Sequence, residues 1–474
     1  MLSKLQNSLS FIFVLACSTA NASDVPNVFS ASTSAKAGEV NENFDYLNVR
    51  ANDFEEQLEM LQLKSMGNHL IDGEQSVEVD CSGNPAALNE AYAENVQYRN
   101  LNFTITGNCY GDIRVIRTFD ENNVWTNDSF QPGGQTLNIF GAEGGNAHLI
   151  PNDLSGSVTI WGGFGGGLYL GNLTIQMGNS TLAAAYSRNG QGGLTNVIIE
   201  GPGEESADWS AGVWLQEGAQ AYLSNLTVSG VNVGVYARNS AVVRFLGDEN
   251  SISASDIGIY IFSSDVAQQA KLITSSIDIS SGSRWLQAGK GSTTADTVNI
   301  REGSSLVVNG AMNLSNGLWV ELSQASIRGE FTSPFVNVSQ GQLFLDGGHI
   351  ADVFEITDAG NANVSNSSIN VLNMYRGAKL NIRNSTIGGN AHIAEDASVF
   401  LTEVTFEGDQ FKVLSSKAYF WGMNDTLTDK LFCHGLSFVE FPGVDLVTAA
   451  PASNCLDFEA SNTLMNLIKS NHGS

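Results

Sequence analysis

A chain of 474 residues with 42% hydrophobic content, 49 Gly and only 8 Pro is long enough for two or three ordinary domains, or for one repetitive fold of many short strands and tight turns. Its 22 Lys and Arg stand against 49 Asp and Glu, a net charge of -27, which repels nucleic acid and anionic membrane surfaces and argues against both as partners. The acidity is diffuse: no Asp-x-Asp-x-Asp loop and no Gly-rich calcium nonapeptide gathers it, so no metal or other cofactor is expected.

Residues 1–22 read as an export signal, with Lys4 in the n-region, an apolar run Phe11-Ile-Phe-Val-Leu-Ala16, and Ala20-Asn-Ala22 as the cleavage site. That run is too short to span a membrane, and no later apolar stretch of about 18 residues or more follows. A competing cut before Cys17, in Val14-Leu-Ala-Cys17, would leave a lipidated first residue, although Leu15 fits that pattern poorly. Either cut predicts a secreted, periplasmic or cell-surface protein.

Residues 23–38 are small and polar, a linker. From 39 to 66 the pattern changes. Val40, Phe44, Leu47, Ala51, Phe54, Leu58 and Leu61 alternate steps of four and three, an a/d heptad seam with Phe44, Ala51 and Leu58 at a. In a parallel bundle Arg50 at g would face Glu55 at e of the next chain. An isolated helix of this length is marginal in water, so the seam predicts a coiled-coil stem that self-associates, most simply as a homotrimer; the alternative is one helix lying along the rest of the chain. The stretch from Phe29 to Phe44 resembles the short stems that precede domains of some exported bacterial and phage-fibre-like proteins.

Residues 76–150 combine strand-like runs, Val77-Glu-Val-Asp-Cys81, Leu101-Asn-Phe-Thr-Ile and Leu137-Asn-Ile-Phe, with a helix expected from Pro85 to Glu94. Pro85 opens an amphipathic segment suited to plugging the end of a solenoid, where core and strand edges would otherwise be exposed. These residues resemble the N-terminal cap of right-handed parallel β-helix proteins of the pectate-lyase-like superfamily. The resemblance implies an all-β fold: a right-handed parallel β-helix with short helical caps, its coils spanning 151–430 and a C-terminal cap at 431–474. With Cys17 removed, four cysteines remain in an exported chain, and they are read as two bridges, Cys81 with Cys109 across the N-terminal cap and Cys433 with Cys455 near the other end. Phe458 to Ile468 reads as a short capping helix.

Within the coils one phrase returns: Gly167-Leu-Tyr-Leu, Gly212-Val-Trp-Leu, Gly234-Val-Tyr-Ala, Gly258-Ile-Tyr-Ile, Ser283-Arg-Trp-Leu and Gly317-Leu-Trp-Val. The copies at 212, 234, 258 and 283 are 22, 24 and 25 residues apart, one solenoid coil each. Neighbours on a strand point to opposite faces. With Val213 and Leu215, or Ile259 and Ile261, in the core, the rings of Tyr169, Trp214, Tyr236, Tyr260, Trp285 and Trp319 would form an outward stripe, roughly 4.8 Å per coil. The same alternation allows the rings to fill the core as a packing ladder, and both readings stay open. Arg284 breaks the aliphatic pattern, so that coil is distorted or read in the other phase.

A second phrase places Asn172, Asn196, Asn225, Asn366 and Asn384 before short, mostly β-branched runs. Asn tolerates a left-handed turn, and its amide can bond the copy above and below. Later the coils tighten: Ile327, Ile350, Ile369, Ile387 and Phe406 are spaced by 23, 19, 18 and 19 residues.

Enzyme motifs of the superfamily are missing. There is no adjacent Asp pair with Gly-His-Gly, as the polygalacturonase-like hydrolases carry, and the sparse cations of the coils, Arg238, Arg244, Lys271, Arg284, Lys290, Arg301, Arg328 and Arg376, sit in no lyase phrase. Glu204, Glu205, Asp208, Glu217, Asp256 and Glu321 are candidates for a carboxylate pair, or plain solvated charges. The six His are scattered singly, and Gly162 to Gly167 reads as a turn, not a phosphate loop. Two functions follow as expectations: a non-enzymatic exported protein that binds a polysaccharide through the aromatic stripe, or a polysaccharide lyase or glycoside hydrolase working in the same groove.

Overall fold

The structure is a computed structural model that describes residues 71–111, 113–115, 135–151, 158–163, 166–179, 182–203, 209–422, 430–434 and 437–440. The export signal with Cys17, the linker, the heptad stem, Cys455 and the expected helix at 458–468 lie outside these residues.

The described residues form a parallel β-solenoid whose coils each lay down three strand segments. The coil around Trp214 and Tyr236 shows how the sequence dictates this. Strand Gln220–Ser224 lies on a first face. Asn225 then turns the corner at φ 52°, and Thr227–Arg238 covers a second face up to Val228 and a third from Val233, with the register slipping between them. On every face the pairing to the next coil is parallel. Along the first face Gln220 pairs with Val242, and later Gln342 with Asn361 and Asn361 with Lys379, so the coils do shorten towards the C-terminal end.

All five Asn corners have the left-handed backbone their sequence predicted: Asn172 (φ 54°), Asn196 (53°), Asn225 (52°), Asn366 (51°) and Asn384 (48°). Their amides also stack. Asn196 donates to Asn172 Oδ1 at 2.9 Å, Asn225 to Asn196 Oδ1 at 2.8 Å, and the Asp248 amide closes on Asn225 Oδ1 at 2.8 Å. A short polar side chain is thereby satisfied at the Asn172, Asn196 and Asn225 bends, where a β-branched residue would be strained and unpaired.

The recurring glycine has a different cause, since Gly212, Gly234 and Gly258 need no left-handed backbone. A Cβ on Gly234 would stand 2.1 Å from Ile252 Cγ2 and 2.5 Å from the Gly258 carbonyl oxygen. The third face meets its neighbours too closely there for any side chain.

Inward positions fill one continuous core. Val213, Leu215, Val235, Ala237, Ile259 and Ile261 are buried as their alternation requires. Ile350, Ile369, Ile387 and Phe406 stack in one buried ladder on the second face, whereas Ile327 belongs to the first face between Val308 and Leu345.

Helix α1, Ala87–Asn95, buries Leu88 against the first strands. Cys81 and Cys109 form a disulfide beside it. Cys433 is also disulfide-bonded. No helix among the described residues is long and apolar enough to cross a membrane.

Candidate functional site

The aromatic phrase does not form one stripe. Parallel pairing on the third face aligns Tyr186, Trp214, Tyr236 and Tyr260 on successive coils as a single outward column. All four rings are half-buried. Tyr186 and Trp214 meet edge to face at 5.3 Å, Trp214 and Tyr236 lie 5.8 Å apart, and Tyr236 stacks on Tyr260 at 5.4 Å. Trp209, from the segment entering that coil, packs its ring against Trp214 at 5.1 Å and Tyr236 at 5.5 Å. The result is a contiguous patch of five rings.

Polar groups border it. The Arg238 guanidinium lies over Trp214 at 5.4 Å and Tyr236 at 5.8 Å, a cation–π arrangement, and donates from Nε and Nη2 to Gln216 Oε1 at 3.0 and 2.7 Å. Gln216 in turn donates to the Tyr186 hydroxyl. Arg188 pairs with Glu217 on the same edge. Burial pushes the Tyr186 hydroxyl above its ordinary pKa, so it remains a neutral phenol at physiological pH. A column fixed in this way offers flat apolar faces ringed by donors at little entropic cost.

Below Tyr260 the column changes character. The next outward position is Asp278, followed by Asn299 and then Trp319. Asp278 is 7% exposed and paired through Oδ2 with Arg301, while its Oδ1 has no hydrogen-bond partner among the described residues. Trp319 forms a separate pair with Phe335 at 5.4 Å.

Two of the six predicted rings lie elsewhere. Tyr169 is on the first face, aligned with Asn138 and Gly193 and thence with Tyr222. Trp285 is in the core, fully buried, so the expected outward orientation is corrected. Its strand, Arg284–Gln287, belongs to the first face, and Arg284 and Leu286 are the residues that point out. The Trp285 Nε1–H donates to Gln268 Oε1 at 3.2 Å, and its ring stacks on Phe245 at 5.9 Å. Thr293 completes this buried network by donating to Gln268 Oε1 or Gln287 Oε1, at 3.1 and 2.7 Å. A buried indole needs such a partner, and the core glutamines supply it.

Tyr186, Trp209 and Asp278 were missed in the sequence. Ala185-Tyr186-Ser187 and Ile277-Asp278-Ile279 share the small-or-aliphatic flanks of the phrase but lack its leading glycine. Trp209 precedes a strand and carries no periodic signal.

Among the described residues the candidate carboxylates stand apart in their surroundings. Glu217 is engaged by Arg188, Asp256 and Glu321 are exposed, and Glu204, Glu205 and Asp208 lie outside the described residues. Among the described residues no group of three or more His, Cys, Asp or Glu could hold a metal ion. Compared with known protein families, curated proteins and solved structures, the chain matches none.

Proposed function

We propose that the protein is an exported, non-enzymatic glycan-binding solenoid, carried on a self-associating stem, and that the third-face patch is its recognition surface. The observation that carries this reading is the five-ring patch of Tyr186, Trp209, Trp214, Tyr236 and Tyr260, half-buried and bordered by Arg238 and Gln216. Sugar rings present apolar C–H faces and peripheral hydroxyls, which match flat aromatic surfaces edged by hydrogen-bond donors. Oligomerisation through the stem would multiply weak sites into useful avidity. Trp319 with Phe335 supplies a smaller outlying platform on the same face.

A second reading, a polysaccharide lyase or glycoside hydrolase, is favoured by one observation: the nearly buried Asp278 carboxylate at the foot of the patch, beside Arg301. It accords with the pectate-lyase-like resemblance of residues 76–150. One experiment separates the two. The full-length secreted protein is run on a glycan panel, scoring both retention and release of unsaturated or reducing ends. Retention without turnover, lost in Trp214→Ala and Tyr236→Ala, supports the binding reading. Product formation abolished by Asp278→Asn establishes the second.

A further inference from the structure

A second site lies on the first face, on different coils from the aromatic patch. Strands Gln324–Ser339, Gln342–Thr357, Asn361–Ser365 and Lys379–Arg383 align Ser326, Phe344, Asn363 and Asn381 as one outward column, and Arg328, Asp346, Ser365 and Arg383 as the next. Between these columns runs a hollow of about 510 Å³ that includes Phe344, Asn363, Asn381, Arg328 and Arg383 in its lining. A second hollow of about 300 Å³ adjoins it and shares Arg328 and Phe344. The two together form a groove parallel to the solenoid axis, with the Phe344 ring, 48% exposed, standing in it.

The cations of this groove are not among those that the chain pairs with its own carboxylates. Arg188, Lys271, Arg284, Arg301 and Arg376 are each matched with a carboxylate of the chain. The side chains of Arg328 and Arg383 make no hydrogen bond and no contact ion pair among the described residues, and neither does that of Lys379, which flanks Asn381 on the same strand. The one carboxylate between them is tied back: Asp346 accepts from Asn366 at 2.7 Å and Ser365 at 2.9 Å, bonds that hold its pKa below the ordinary value, with Arg328 contributing less. In a chain of net charge -27, three cations set against the single carboxylate of Asp346 leave this stretch net positive and complementary to an anion from outside.

We propose that this groove binds a linear acidic glycan, a polymer whose sugars carry carboxylates. Phe344 offers a stacking surface for a sugar ring, and Asn363 and Asn381 offer amides to hydroxyls. The guanidiniums, which match a carboxylate in a planar two-point bond, take the uronate groups. Arg328 and Arg383 are three rungs apart, about 14 Å along the axis, so a short oligosaccharide lying along the groove reaches both. The site is independent of the third-face patch.

The test is calorimetric titration of the full-length secreted protein with alginate and hyaluronan hexasaccharides and with their carboxyl-reduced neutral counterparts. Binding of at least one acidic hexasaccharide is expected, weakening as salt rises and falling about tenfold or more on carboxyl reduction. Arg383→Gln, Arg328→Gln and Phe344→Ala should each weaken it, the Arg variants by about tenfold. Arg284→Gln, on the same face but outside both sites, should leave it unchanged. These groups are solvent-exposed, so the variants keep wild-type circular dichroism and melting. Failure of both acidic hexasaccharides to bind, equal affinity for the neutral forms, or affinity unmoved in Arg328→Gln and Arg383→Gln would overturn the proposal. Loss of binding in Trp214→Ala with the groove variants unaffected would also overturn it, by placing the acidic glycan on the third face.

Discussion

Trp214 and Trp285 occupy the same place in the recurring phrase and opposite sides of the wall, so replacing each by Ala should give unequal losses. Trp285 is wholly buried and stacks on Phe245, and truncating a buried Trp costs about 3–5 kcal/mol. One buried acceptor is orphaned as well, because the single Thr293 proton can serve Gln268 Oε1 or Gln287 Oε1 but not both, so the loss falls in the upper half of that range. A loss of about 4 kcal/mol or more, at a urea slope of about 3 kcal/mol per molar, lowers the midpoint by about 1.3 M or more. Trp214 is half-buried, and its ring contacts are worth about 0.5–1.5 kcal/mol each before allowance for exposure. About 1–2 kcal/mol, and a midpoint shift of about 0.3–0.7 M, is expected for Trp214→Ala. Trp285→Phe keeps a ring against Phe245 and should fall between. Urea titration followed by far-ultraviolet circular dichroism, with disulfides intact, reads all three. Equal shifts, or a larger one for Trp214→Ala, would refute the assignment of Trp285 to the core and Trp214 to the surface.

Gly234→Ala should lower the melting temperature more than any exposed substitution on that strand, since the new methyl has Ile252 and the Gly258 carbonyl in its place; overpacking of this kind costs about 1–3 kcal/mol or more. A melting temperature within a degree of wild type would contradict the close approach. At the Asn225 corner, Gly should be tolerated better than Ala by about 1 kcal/mol, because both lose the amide ladder but only Ala is strained at φ 52°. Burial, aided by Lys412 and opposed by Glu395, holds the His392 imidazolium pKa below 6.5. The unfolded chain therefore takes up that proton more readily. His392 contributes stability that is complete above pH 6.5 and lost as pH falls towards its folded value, and His392→Gln should flatten the melting profile across that range.

What could be read from the sequence was what each residue demands of its own backbone. Asn172, Asn196 and Asn225 stood before short, mostly β-branched runs and tolerate the left-handed corner that such a repeat requires, and Ile369 and Ile387 favoured the core. What could not be read was phase. A period of two has no absolute origin in a four-residue phrase, so Ser283-Arg-Trp-Leu looked like its relatives although Arg284 already signalled the opposite phase. The next coil also hid itself. Ile259 pairs with Ile277, which puts Asp278 beneath Tyr260, and without an aromatic the coil left no mark in the repeat. The groove of Arg328 and Arg383 was illegible for a related reason, since only the register sums that stack strands 324, 342, 361 and 379 bring those residues into one column.

In a parallel solenoid the inward positions carry stability and the outward ones are released from it, so the two faces can hold different chemistry without compromise to the core. From Ala267, on the strand that follows Tyr260 at the end of the patch, the first-face register climbs through Leu286, Val307 and Ser326 to Phe344, about 19 Å at roughly 4.8 Å per rung. Because the two surfaces also lie on different faces, the aromatic patch and the cationic groove would act as separate valences under the proposed reading. A long polymer could engage both. Its second contact would then be intramolecular and governed by effective concentration, so that weak sites hold a polysaccharide firmly while releasing its fragments. Such a division suits retention of a polymer better than cleavage, which requires its groups to converge on one bond.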